Sequence, residues 1–103
     1  LILVLALLFG KGVLAGTVRT IGVNNDSMAP IYVRLGKSTV LRFSDKPRKV
    51  VVGNQNYYGL EFIENDLAIQ PLGGVSTNLF VYTERRTYGF ILTPGDLYDD
   101  LVF

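Results

Sequence analysis

The 103-residue sequence contains no cysteine and no histidine. Disulfide bonds, metal sites built from these two residues, and catalytic pairs of serine or cysteine with histidine are therefore excluded. If the protein is exported, its stability must come from packing rather than from cross-links. Charged residues make up only 18% of the chain, and the formal net charge is +1. Without a basic stripe of interleaved aromatic residues, the sequence is not that of a nucleic-acid-binding protein.

An almost unbroken apolar run opens the chain, from Leu1 to Phe9. The run is too short to span a bilayer, and it matches the apolar region of a secretory signal peptide. Val13 and Ala15 stand at the minus-three and minus-one positions of a cleavage site. Residues 1–15 are therefore expected to be a signal peptide with an incomplete start, and residues 16–103 a single mature domain in the periplasm or outside the cell. A buried N-terminal helix or strand is the alternative.

The remaining sequence predicts short β-strands separated by turn residues, with almost no helical periodicity. Residues 31–35 alternate apolar and polar side chains, Gly36-Lys37 fits a two-residue hairpin turn, and residues 38–43 return as a strand. Further strands are predicted at residues 17–23, 48–52, 57–63, 67–70, 77–83 and 87–92. About seven or eight short strands predict an all-β fold, an antiparallel β-sandwich. The structure of residues 97–103 stays open.

The most regular pattern is a hairpin over residues 77–92, whose two strands flank the charged turn Glu84-Arg85-Arg86. Alternation places one set of apolar side chains of each strand on a common face. The residues expected to build the core are Leu79, Val81, Tyr88, Phe90 and Leu92. The turn is the part of the hairpin expected to remain available to a partner.

Two groups of residues resemble ligand sites but fit simpler roles better. Gly36-Lys37-Ser38 echoes a phosphate-binding loop, but the motif requires a glycine where the sequence has Ile31. Asp96, Asp99 and Asp100 could collect a calcium ion, but the alternating oxygen ligands around a central glycine are absent. We interpret the first group as a hairpin turn and the second as a solvated acidic turn.

Two further patterns are weak signals. Glu61 and Glu64 could form a carboxylate pair for glycoside chemistry, but one strand and its turn give no geometry to support that role. Surface charge is the favoured interpretation. Asn25-Asp26-Ser27 satisfies the glycosylation tripeptide, and a turn explains the same residues equally well.

Two residue pairs are the best candidates for contact with a protein partner. Tyr57-Tyr58 and Arg85-Arg86 consist of side chains that are enriched in interface hot spots. For the tyrosines, the alternative is one ring in the core and one outside, as strand alternation demands. For the arginines, the alternative is a solvent-exposed turn with no partner contact. No catalytic, cofactor-binding or metal-ligating residue is predicted.

The hairpin also resembles a known family. The run from Thr77 to Leu92 is similar to the "TNL-hydrophobic-V-T" strand, charged turn and "R-x-Y-x-F-x-L" strand of the TraK/TrbG/CagX group, which includes the ninth VirB protein. The upstream motifs "G-x-S/T-x-x-L-x-F", "V-x-V-G" and "I-x-P" resemble Gly36–Phe43, Val50–Gly53 and Ile69–Pro71, and Leu92–Asp96 resembles the segment that follows the hairpin. The resemblance covers residues 31–96, in the family's order and spacing.

The resemblance implies a β-sandwich in the periplasm that belongs to the outer-membrane core complex of a type IV secretion or conjugation system. Its expected partners are lipoprotein and channel-forming subunits and copies of itself in a ring, without nucleic acid or a membrane span of its own. The family's separate C-terminal domain is not part of these 103 residues, which are expected to be either a fragment or a one-domain relative, so the roles of that domain are not carried over. One alternative is a secretin-associated pilus assembly module; another is a carboxylate-based enzyme or ligand-binding β-sandwich.

Overall fold

The computed structural model describes residues 16–22 and 27–103. These residues form nine β-strands and one turn of 3-10 helix, Gln55–Tyr57. The strands are β1 (Thr17–Arg19), β2 (Ala29–Val33), β3 (Thr39–Arg42), β4 (Lys49–Val52), β5 (Tyr58–Ile63), β6 (Asp66–Pro71), β7 (Thr77–Tyr82), β8 (Thr87–Pro94) and β9 (Asp99–Val102). The all-β prediction is confirmed. The predicted signal peptide and most of the glycosylation tripeptide lie outside the described residues.

The strands form two sheets, in the orders β1-β9-β3-β6-β5 and β2-β8-β7-β4. They are the two layers of the predicted sandwich. Both sheets are mixed rather than wholly antiparallel, because β9 runs parallel to β1 and β3, and β2 runs parallel to β8. Alternation in a sequence reports which face of a strand is buried. It carries no information on whether the neighbouring strand is parallel.

The core lies between the sheets and is built from alternate residues of most strands. Its buried apolar side chains are Ile31, Val33, Leu41, Phe43, Tyr58, Leu67, Ile69, Leu79, Val81, Phe90, Leu92 and Val102. All of the core residues expected from the hairpin except Tyr88 are among them, and Tyr88 is half-buried against the same cluster. Burial of these side chains supplies the main driving force for folding.

The predicted hairpin is confirmed as β7 and β8, paired antiparallel from Thr77 opposite Leu92 to Tyr82 opposite Thr87. The amide of Thr83 donates a 2.9 Å hydrogen bond to the carbonyl of Arg86, which closes the turn. β8 also pairs with β2 on its other side and is therefore a central strand of its sheet.

The turn after β2 does not form the predicted hairpin. The amide of Lys37 donates a 3.0 Å hydrogen bond to the carbonyl of Arg34, and Gly36 has a φ of +80°. A positive φ at the third turn position fits a type II turn, where glycine is favoured. The turn passes the chain from β2 in one sheet to β3 in the other. The prediction of a glycine turn is confirmed, but a turn residue alone does not determine which strands pair.

Candidate functional site

An open cleft of about 400 Å³ lies between the sheets, where β3 and β9 end and β8 begins. Aliphatic and aromatic side chains form most of its wall, and two arginines complete it. The lining residues are Ile21, Leu41, Arg42, Phe43, Ser44, Arg86, Tyr88, Phe90, Val102 and Phe103. We refer to it as the arginine-rimmed cleft.

Three aromatic rings form one wall of the arginine-rimmed cleft. The centroids of Phe43 and Tyr88 are 5.1 Å apart, and the planes of the two rings are tilted by 53°. Phe90 lies 6.2 Å from Phe43 and 6.4 Å from Tyr88. Such centroid spacings fall within the favourable range for aromatic pairs. Phe43 immediately follows β3 of one sheet, and Tyr88 and Phe90 lie on β8 of the other, so the rings join the two sheets.

The two arginines of the cleft have different surroundings. Arg42 donates bonds of 2.8 and 2.9 Å to both carboxylate oxygens of Asp66, and its guanidinium lies 5.8 Å from the centre of the Phe103 ring. The hydrogen bonds from Arg42 lower the pKa of Asp66, and those same bonds raise the pKa of Arg42. Arg86 lies 5.6 Å over the ring of Tyr88. Within residues 16–22 and 27–103, it forms no ion pair.

Arg85, beside Arg86 in the β7–β8 turn, holds the loop that follows β3. Its Nε and Nη2 each donate a 2.9 Å bond to the carboxylate of Asp45. These bonds from Arg85 lower the pKa of Asp45. Both arginines are exposed, so the structure places the predicted pair on the surface, one side chain engaged by a carboxylate and the other by an aromatic ring. Their contact with a partner remains a prediction.

The two predicted tyrosines face different environments. Tyr58 is 4% exposed, and its hydroxyl donates a 2.5 Å hydrogen bond to the carbonyl of Val75. Its burial raises the pKa of the phenol. Tyr57 is exposed and covers Gly73 so closely that a Cβ on that glycine would collide with its ring. One ring is therefore inside and one outside, the alternative that strand alternation demanded. The exposed ring of Tyr57 is the one a partner can reach.

A second candidate surface is the side of the sandwich bounded by β4 and β5, the terminal strands of their sheets. Phe62 of β5 lines a shallow groove together with Pro47 and Arg48, which precede β4. Phe62 and Val51 are each 44% exposed, and Ile63 is 49% exposed. Within the described part of the chain, no strand pairs with the outer edges of β4 and β5. We refer to this side as the open edge.

Sequence reasoning missed a buried polar network around Asp99, which is 2% exposed rather than part of a solvated turn. Its carboxylate accepts bonds from Arg19 Nε at 2.7 Å and Nη2 at 2.9 Å. The Thr17 hydroxyl at 3.1 Å and the Tyr32 amide at 2.9 Å complete the set. The network therefore ties β1 and β9 of one sheet to β2 of the other.

A β-bulge explains the burial of Asp99. Thr17 is opposite Asp99, but the next residue, Val18, is opposite Leu101, so Asp100 is an extra residue in β9. A bulge changes which side chains face inward. Asp99 and Val102, three positions apart, are both buried as a result. The alternation rule used on the sequence cannot anticipate that spacing, although an arginine in a short β-branched strand was a possible signal for a buried partner.

The cleft is not lined by carboxylates, and the weaker site candidates lie elsewhere. Glu61, within β5, and Glu64, in the following turn, are both exposed. Within residues 16–22 and 27–103, no three acidic side chains are grouped so that they could hold a metal ion. The same part of the chain contains no helix long and apolar enough to cross a membrane.

No family model matches the chain, and no curated protein matches it. Twelve chains of solved structures do match. One of them is a crystal structure of domains 4 and 5 of the S-layer protein SbsC, with a TM-score of 0.48 and 9% sequence identity. The match covers 72% of this chain and 51% of that one, so this chain spans about half the length of the matched structure. No functional argument follows from a likeness at this level.

Proposed function

We propose that this protein is a structural subunit of the periplasmic, outer-membrane-associated core complex of a type IV secretion or conjugation system. It acts through contacts with lipoprotein and channel-forming subunits and with copies of itself in a ring. Its mechanism is surface complementarity, without turnover of a substrate.

The placement of the family-like motifs supports the proposal. They fall on four places along the fold: the turn into β3, the end of β4, the end of β6, and the β7–β8 hairpin. Their apolar positions include Leu41, Ile69, Leu79 and Phe90, all of which are buried. The residues that carry the resemblance are therefore packing residues, and a partner must be met by other parts of the surface.

The open edge is the observation that carries the proposal. Terminal strands present unpaired backbone amides and carbonyls, to which a strand of another chain can add. Soluble proteins commonly protect such edges with charged residues, and Lys49 of β4 and Glu61 of β5 are exposed charges on these strands. Beside them, Val51, Phe62 and Ile63 leave large apolar side chains exposed on the same side. Burial of this side against another subunit would remove apolar surface from water and satisfy the backbone groups. Tyr57, which immediately precedes β5, presents a further exposed ring.

A ring needs two different surfaces on each subunit, because head-to-tail contacts are heterologous. The fold offers them, since the open edge lies opposite the side bounded by β1 and β2. Arg85 and Arg86 project from the β7–β8 turn at one end of the groove that Phe62 and Glu84 line, where another protein could reach them. The arrangement fits a subunit that contacts its neighbours on two sides and another protein at one end.

The experiment is co-purification of the full chain with lipoprotein and channel-forming subunits expressed from the same gene cluster. Val51→Lys places a charge on the open edge, and Leu97→Lys is the matched control because Leu97 is 70% exposed in a loop. We expect the wild type and the control to co-purify with the partners, and Val51→Lys to be depleted. Failure of the wild type with folded partners, or equal recovery of the two variants, would count against the proposal.

A further inference from the structure

The arginine-rimmed cleft combines an apolar interior with a positive rim. Its interior is formed by side chains such as Leu41, Phe43, Phe90 and Val102, and none of its lining residues carries a negative charge. Arg42, at the end of β3, and Arg86, immediately before β8, are among the lining residues. A ligand that complements this arrangement has an apolar group and a negative charge next to each other.

The two arginines are not equivalent in what they can offer. Arg42 is neutralised by the two-point contact with Asp66. Asp45, the acidic residue of the neighbouring loop, accepts both of its hydrogen bonds from Arg85. Among the described residues, Arg86 forms no ion pair and lies over the ring of Tyr88. The carboxylate near it is that of Asp45, whose pKa the charge of Arg86 also lowers but whose hydrogen bonds come from Arg85. The charge of Arg86 is available to an incoming anion.

The size of the cleft limits the ligand. A volume of about 400 Å³ lies towards the lower end of the range for small-molecule sites, roughly 300–1,000 Å³. It suits one or two large side chains of an extended peptide. The rings of Phe43, Tyr88 and Phe90 provide aromatic faces and edges for such a side chain. A carboxylate beside it would meet Arg86 at the rim.

We propose that the arginine-rimmed cleft binds a short peptide segment of a partner protein in which an aromatic or large aliphatic residue is adjacent to an aspartate or glutamate. The inference rests on the proposed function, in which the chain acts through protein contacts, and names the chemistry of one partner segment. The apolar side chain enters between the rings, and the carboxylate pairs with Arg86.

The test uses a defined peptide, acetylated serine-aspartate-phenylalanine-glycine-serine amide, titrated into the isotope-labelled chain up to about 5 mM, which covers weak single-motif binding. Chemical-shift changes report both affinity and location. In one matched peptide asparagine replaces the aspartate, and in the other serine replaces the phenylalanine. Decanoate serves as a fatty-acid probe. The protein variants are Arg86→Gln and the control Lys37→Gln, an exposed cation in the turn between β2 and β3, outside the cleft.

We expect shifts at residues of the cleft with the aspartate–phenylalanine peptide. Replacement of the peptide's aspartate by asparagine, or Arg86→Gln in the protein, should weaken binding by about threefold to fivefold, as for the loss of one exposed ion pair. Lys37→Gln should leave the affinity unchanged, and the serine peptide should not bind. Thermal melts establish that both variants remain folded.

Three results would overturn the inference. The first is the absence of shifts in the cleft. The second is an affinity that stays the same when asparagine replaces the aspartate of the peptide and when the protein carries Arg86→Gln. The third is binding of decanoate without binding of the peptide. The last result would identify a lipid rather than a peptide as the occupant. If the peptide fails while the chain still co-purifies with its partners, the inference about the cleft is wrong and the proposed function stands. Peptide binding without co-purification would support the cleft inference and count against the proposed function.

Discussion

Replacement of Asp99 by asparagine probes the polar network that joins the two sheets. The substitution keeps the shape of the side chain but removes the charge that accepts two bonds from Arg19. The asparagine oxygen can still accept from one or two donors, while its amide nitrogen faces donors with which it cannot pair. Arg19, whose side chain is 29% exposed, loses its carboxylate partner.

The magnitude follows from this geometry. Removal of one partner from a buried ion pair costs about 3–5 kcal/mol, and hydrogen bonds to charged groups are worth about 1.5–3 kcal/mol each. Water that reaches the partly exposed Arg19 recovers some of this loss. We therefore expect Asp99→Asn to lower the free energy of unfolding by about 2–4 kcal/mol, which corresponds to a decrease in Tm of about 10–25 °C for a domain of this size.

The assay is equilibrium unfolding in urea at neutral pH, with Asp100→Asn as the matched control. Asp100 is exposed in the same strand, so the control should change the stability by no more than about 0.5 kcal/mol. Equal stability of the two variants would refute the reasoning, because it would show that the buried carboxylate contributes no more than an exposed one.

The pH dependence provides a second reading of the same prediction. Burial alone would raise the pKa of Asp99, but the hydrogen bonds from Arg19, Tyr32 and Thr17 and the charge of Arg19 outweigh it, so the pKa is held below its usual value. A lowered pKa contributes stability that is complete above the unfolded value of about 3.9 and is lost as the pH falls through the folded value. The difference between wild type and Asp99→Asn should therefore shrink in acid; a constant difference would contradict the assignment.

Three further predictions concern the fold and are measured by unfolding in urea. Leu79→Ala should cost about 2–5 kcal/mol, because the side chain is fully buried in the core; a cost below about 1 kcal/mol would contradict its placement. Gly36→Ala should cost about 1–2 kcal/mol because φ is +80°, whereas Gly22→Ala should not, since Gly22 is exposed and has no positive φ. Tyr58→Phe should cost about 1 kcal/mol through its lost hydrogen bond, whereas Tyr57→Phe should be neutral.

The sequence predicts the fold class and the central hairpin because both depend on alternation, which a chain displays locally. Leu79, Val81, Phe90 and Leu92 are buried where the pattern places them. Pairing depends instead on contacts between distant parts of the chain. The turn at Gly36 therefore fits a hairpin by its residues, although it carries the chain between sheets.

The candidate site is less accessible to sequence reasoning for the same physical cause. The arginine-rimmed cleft brings together residues as far apart as Ile21, Phe43 and Phe103, and no local pattern links them. Asp99 escapes notice because a bulge alters the alternation of β9. Arg86 is singled out by residue type alone, and the structure adds the aromatic ring below it.

Assembly of copies through two different sides is the central claim, and cysteine cross-linking tests it most directly. Because the chain contains no cysteine, a Val18→Cys, Ile63→Cys variant has thiols only at the two terminal strands of the five-stranded sheet, β1 and β5. The account predicts that a bismaleimide produces a ladder of trimers and larger species from the assembled complex, whereas each single-cysteine variant stops at the dimer. Products no larger than a dimer from the double variant would contradict a head-to-tail ring.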